Sequence, residues 1–153
     1  MWTVAGLVEA PARQVADVLF AIRPGRVSED NALLLWVTYQ PLWNNVALAL
    51  DGGPEEYTLR LGDDPRGYTR MTLDRPRGMI TLQGNWWYRG QHTIESHERG
   101  AAVVYRVYNM ASGLGRFTVP LMQRGFGKGM AKGRQRLLDA LGERLHCNTA
   151  PLP

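Results

Sequence analysis

His92 is the residue of this chain best suited to moving a proton, because an imidazole titrates near neutrality. Side chains alternate between the two faces of a strand. Along 85–98, Arg89 and Glu95 belong outside and Ile94 inside, so Trp86, Tyr88, His92 and Ser96 share the inner face. On the returning stretch 101–110, an outward Arg106 leaves Val103, Tyr105, Val107 and Asn109 facing in. His92, Tyr88, Tyr105 and Asn109 then form an acid–base constellation. The imidazole would carry the proton, while phenol or amide groups hydrogen-bond a developing enolate. A buried histidine that only satisfies a hydrogen bond is the commoner arrangement, and a slip of one residue in register would turn every face over.

The same alternation puts Leu59, Leu61, Met71 and Leu73 inside. The expected cavity is therefore apolar and aromatic with a few polar groups, the usual make-up of a small-molecule site. Its expected lining is Trp36, Tyr39, Met71, Gln83, Trp86, Phe117, Met122, Phe126, Gly129 and Met130. Other chemistries find little support. His92 and His97 are five apart and point to opposite strand faces, and no other His or Cys stands at metal-ligand spacing. Gly125-Phe126-Gly127-Lys128-Gly129 lacks the spacing of a phosphate loop. Ser96 and Ser112 have no His/acid partners. No cofactor and no metal are implied.

The elements that must position these residues follow from punctuation and period. Residues 2–9 read as a strand. Pro11 opens a helix whose Val15, Val18, Leu19 and Ile22 fall on one face, and Pro24-Gly25 ends it. Residues 28–43 read as a second helix bearing Trp36, Tyr39 and Trp43, and these rings suit a lid over a cavity as well as they suit a core. From 46 onward, turn residues recur between short apolar stretches at 46–50, 57–61, 68–73, 79–83, 85–98 and 101–110, which describes an antiparallel meander. Residues 118–146 read as one long helix. Met122, Phe126, Met130, Leu137, Leu141 and Leu145 form its apolar ridge, and Arg124, Lys128, Lys132 and Arg136 its basic one. Gly125, Gly129 and Gly133 stripe the apolar side. Each glycine costs a helix about 1 kcal/mol, so the stripe implies either a hollow face for a ligand or a close backbone approach.

At 153 residues the chain fits one domain, 1–153, able to bury a core without staples. Cys147 is the only cysteine, which excludes an internal disulfide and fits a reducing cytoplasm. The N-terminus lacks the basic and apolar regions of a secretion signal, and no apolar run reaches the ~20 residues of a membrane span. The net charge of +4 traces to the terminal segment, where Arg124, Lys128, Lys132, Arg134, Arg136 and Arg144 face Asp139 and Glu143. Such a stripe is the ordinary outer face of an amphipathic helix. It carries no interleaved aromatics, so nucleic acid is not expected as a partner. A hydrophobic small molecule is, and the chain could work alone or as a homodimer.

The junction Val8-Glu9-Ala10-Pro11-Ala12-Arg13-Gln14-Val15, the long strand pair and the terminal helix resemble the helix-grip (START-like, SRPBCC) superfamily. That superfamily includes START lipid-transfer domains, plant pollen-allergen proteins and bacterial polyketide cyclase/dehydrase families. The resemblance implies an α+β helix-grip fold, a curved antiparallel sheet wrapped around a long C-terminal helix. It also implies a cavity for a hydrophobic ligand, either a polyketide-like intermediate that is cyclised or dehydrated without a cofactor, or a lipid, quinone or other hydrophobic molecule that is carried or sensed unchanged. The tryptophan-bearing stretch 28–43 departs from the plainest members.

Overall fold

The computed structural model describes all residues except 44, 45, 64–67, 85 and 123, and all side chains outside those except Trp43, Leu121 and Met122. The expected turn at 63–67 and the expected roles of Trp43 and Met122 lie largely or wholly outside the described residues.

Among the described residues nine strands form one antiparallel sheet in the order β2-β3-β4-β5-β6-β7-β8-β1-β9. They are β1 (Trp2–Val8), β2 (Gly25–Arg26), β3 (Leu48–Gly52), β4 (Glu56–Leu61), β5 (Tyr68–Asp74), β6 (Met79–Gln83), β7 (Tyr88–His97), β8 (Gly100–Asn109) and β9 (Thr149–Leu152). Consecutive strands from β3 to β8 pair with their neighbours in chain order, while β2 pairs with β3 across the helical stretch that separates them in the chain. The first strand then closes against the eighth, Trp2 opposite Val107 through Val8 opposite Ala101. The chain's last strand pairs with the free side of β1. Both β2 and β9 are too short to show a period, and the proline in β9 sits where prolines are tolerated, on an edge.

Among the described residues three α-helices accompany the sheet: α1 (Ala12–Leu19), α2 (Gly115–Met122) and α3 (Phe126–Leu145). Helix α1 starts behind Pro11 and buries Val15 and Leu19. It stops before Ile22, which is buried in the connection that follows. The expected single terminal helix is broken. Gly125 holds φ at 89°, in the left-handed region, and begins α3 afresh, a conformation open to glycine at little cost. Met130, Leu137, Leu138 and Leu141 of α3 are buried in the core, together with Val8, Leu50, Leu59, Met71, Ile80, Leu82, Val103 and Val107 from the sheet. This is an α+β helix-grip fold, a curved antiparallel sheet with a long helix held across it.

The stretch read as a second helix is helical but not regular. Leu35–Tyr39 form a π turn and Gln40–Trp43 a 3₁₀ turn. The π turn inserts a residue into the helical period, and such insertions are frequent where a side chain must be re-aimed for function. Here Leu35, Thr38 and Tyr39 are buried, while Trp36 stays 41% exposed.

Candidate functional site

Register explains why His92 and Tyr105 meet. They are direct cross-strand partners on β7 and β8, and partners opposite each other in an antiparallel pair share a face with β-carbons about 4.5–5.5 Å apart. Their rings stack 4.1 Å apart, 2° from parallel. Tyr88 lies four residues back along β7 on the same face and folds over Gly90. A β-carbon at Gly90 would fall on the Tyr88 hydroxyl and sit 3.2 Å from Tyr105 Cε2. This glycine therefore marks a close approach inside a strand. Tyr39 descends from the π turn and completes the group.

The four rings form one hydrogen-bonded cluster. Tyr39 Oη lies 2.8 Å from Tyr88 Oη, 3.2 Å from Tyr105 Oη and 3.3 Å from His92 Nε2, and Tyr88 Oη lies 2.8 Å from Tyr105 Oη. Each hydroxyl has one proton to donate. The three hydroxyl protons fill the triangle, Tyr39 donating to Tyr105, Tyr105 to Tyr88 and Tyr88 to Tyr39. The contact with His92 is then filled when Nε2–H donates to Tyr39. That assignment makes His92 a neutral imidazole with its lone pair on Nδ1.

Burial sets the electrostatics. His92 is 2% exposed, and desolvation lowers its pKa to about 3. Burial likewise pushes the phenols of Tyr39 and Tyr88 well above the ordinary tyrosine value, and that of Tyr105 above it. All four groups are neutral at physiological pH.

One space adjoins the cluster, and a second lies beyond the π turn. A small cavity of about 10 Å³ is lined by Val4, Thr38, His92, Val103, Tyr105, Arg134, Leu137 and Leu138. Outside lies a cleft of about 850 Å³ between α3, the π turn and β2, with Arg26, Trp36, Val37, Gln40, Arg136 and Glu143 among its walls. The π turn separates the two. Trp36, Val37 and Gln40 face the cleft, and Thr38 lines the inner cavity. Arg136 Nε ties the turn to α3 by donating to Val37 O at 2.8 Å.

Of the expected catalytic set, the structure brings His92, Tyr88 and Tyr105 together, and it adds Tyr39 from the expected lining. Asn109 is not among them. At the end of β8 its amide donates to Arg116 O and its oxygen accepts from Ala111 N, so it shapes a loop. The residues of the expected lining set are dispersed. Trp36 walls the outer cleft, while Met71 and Met130 are buried in the core. Gln83 pairs with Arg70 and Arg89, which puts it on the outer face. Trp86 is 57% exposed, because it precedes the first residue of β7 and strand alternation does not extend to it. Trp87 is the ring that turns inward, packing edge-on against Trp2, Tyr88 and Phe126. Phe126 is held in that aromatic group, and Phe117 is 75% exposed. Gly129 is exposed, and a β-carbon there would meet nothing. The hollow face expected of the glycine stripe is absent at that position. Gly133 serves close packing instead, since its β-carbon would lie 3.2 Å from Thr38 Cγ2.

Among the described residues no three His, Cys, Asp or Glu side chains group as metal ligands, and no helix is long and apolar enough to cross a membrane. No protein-family model and no curated protein matches the chain. A solved structure similar to it is the di-domain ARO/CYC StfQ from the steffimycin biosynthetic pathway, 14% identical with a TM-score of 0.48. That match covers 95% of this chain and 45% of the other, so the chain spans less than half the length of that protein. The functional reading therefore rests on the site.

Proposed function

We propose that this chain is a cytoplasmic ligand-binding domain of the helix-grip superfamily, close to the polyketide cyclase/dehydrase families. It would take up a hydrophobic small molecule and cyclise or dehydrate it without a cofactor. One observation carries the reading: three phenols and an imidazole from β7, β8 and the π turn converge in an otherwise apolar core, one wall away from a ligand-sized cleft. Four buried polar rings depart from an apolar core, and departures of this kind concentrate at functional sites.

Catalysis in this reading begins with the π turn moving aside, so that the ligand passes from the cleft to the cluster. Binding folds the flexible molecule into a near-attack conformer. The hydroxyls of Tyr39 and Tyr88 are released from each other and donate to the oxygen on which enolate charge develops. Desolvation is the sole cause of the low His92 pKa, so opening returns the imidazole toward its ordinary value and lets it take the proton. The closed state is inert and the open one competent.

A second reading is favoured by the same closed geometry. With His92 at about 3 and every phenol raised, no group of the cluster titrates near neutrality, as suits a carrier that leaves its ligand unchanged. His92→Ala separates the two. Turnover, read by mass spectrometry as loss of water from a polyketone substrate, should vanish while binding stays within about tenfold (~1.4 kcal/mol). Binding with no turnover in the wild type would establish the carrier.

A further inference from the structure

Three buried side-chain atoms find no hydrogen-bond partner among the described residues: Thr38 Oγ1, His92 Nδ1 and Arg134 Nε. Buried polar atoms without partners are rare, and each normally has a cause. These three come from three different elements, the π turn, β7 and α3, yet all three residues line the same cavity of about 10 Å³. A site for one water needs roughly 10–15 Å³ of such space and two to four polar partners. The cavity meets the volume condition at its lower limit and offers three polar partners, so as it stands it takes one oxygen atom and nothing larger.

The hydrogen-bonding sense of the three atoms selects the occupant. Nδ1 carries the lone pair left by the Nε2–H contact to Tyr39 and therefore needs a donor. Arg134 Nε–H can only donate and needs an acceptor. Thr38 Oγ1 does either. An occupant that accepts from Arg134 and donates to His92 must have a lone pair and a proton on the same atom. A carbonyl, ether or halide lacks the proton. A carboxylate lacks it too and does not fit. An O–H group satisfies all three.

We propose that the space between Thr38, His92 and Arg134 is a seat for one O–H group, filled by water in the free protein and by a hydroxyl of the ligand in the complex. The second half rests on the function proposed above; the first does not. The seat explains Arg134, whose Nη1 donates to Ala5 O at 3.3 Å and Leu152 O at 3.4 Å. The guanidinium is anchored to β1 and β9 at its far end and offers Nε–H inward. It also makes the site selective, because a ligand that displaces the water without offering a hydroxyl would bury the same three atoms unpaired, and such losses are costly.

The free protein is tested first. Nitrogen-15 NMR of the His92 ring should report the Nε2–H tautomer with a hydrogen-bonded Nδ1. An atomic-resolution crystal structure should show one oxygen within hydrogen-bond distance of Nδ1 and Arg134 Nε. In Thr38→Val, which keeps side-chain volume, the Nδ1 signal should shift while the melting temperature holds. An Nδ1–H tautomer or an unoccupied seat overturns the proposal. The ligand half is tested with 1-naphthol and naphthalene as matched probes. The wild type should prefer 1-naphthol by about tenfold, and Thr38→Val should lose most of that preference. Equal binding of both probes by the wild type overturns the ligand half alone. If neither binds, the ligand half falls with the proposed function, while an oxygen seated on Nδ1 still supports the water site.

Discussion

His92 gives the folded protein a pH signature of its own. Its pKa in the native state is about 3, against an ordinary value near 6.5 in the unfolded chain. Between those values the unfolded chain binds the proton and the native one refuses it. The stability owed to a neutral His92 is whole above about pH 6.5 and drains as pH falls toward 3, with a slope approaching 1.4 kcal/mol per pH unit. Carboxylates add their own losses: Glu9 is lowered by its hydrogen bond to Arg99 and likewise stabilises less as pH falls. The measurement is therefore a difference. Urea midpoints of the wild type and His92→Gln from pH 7 to 4 should converge as pH falls, and parallel curves would show that His92 is not buried neutral. Gly90→Ala addresses the cluster's geometry: it should evict Tyr88 from the hydroxyl triangle and, in the enzyme reading, lower turnover at least as far as Tyr88→Phe does in the same assay. Alternation along the strands made His92, Tyr88 and Tyr105 legible, because register and face follow from period two. Tyr39 was legible only as a bulky ring. Forty-nine positions separate it from Tyr88, and no local pattern reports that a π turn aims it at their hydroxyls.

At the scale of elements, the glycines of α3 divide into two kinds that the sequence spaces identically. A β-carbon at Gly129 meets nothing, whereas one at Gly133 lies 3.2 Å from Thr38 Cγ2. Gly129→Ala should gain up to about 1 kcal/mol of helix propensity, and Gly133→Leu should overpack the contact with the π turn and lose about 1–3 kcal/mol. Differential scanning calorimetry reads each kcal/mol as about 2–4 °C at this chain length. A fall for Gly129→Ala would place that residue against something. The four-residue spacing suggested one uniform stripe because it assumes an unbroken helix running against a single partner. Gly125 breaks the helix in the left-handed region, and only the middle of α3 crosses the π turn. The meander was legible to within three residues at each strand end, since turn chemistry and alternation agree there. Strands β2 and β9 were not, because two to four residues of edge strand take their structure from pairing and carry no period of their own.

At the scale of the whole molecule, the grip of helix on sheet is concentrated where α3 crosses β1. Gly6 is buried there, and a β-carbon on it would stand 2.6–2.9 Å from the Cδ2, Cδ1 and Cγ atoms of Leu138. Strand β1 binds β8 on one side and β9 on the other, so chain segments from both ends meet beneath this contact. Gly6→Ala forces Leu138 off its packing position and should cost about 1–3 kcal/mol. Leu138→Ala leaves a cavity and should cost about 2–5 kcal/mol. The double variant refills part of that cavity with the new methyl group and relieves the clash that the first change created. Its loss should therefore be smaller than the sum of the single losses, by an interaction energy of about 1 kcal/mol or more. The two positions then act as one fitted joint, and guanidinium unfolding of the four proteins measures it. Additive losses would mean that α3 does not press on β1 at this point.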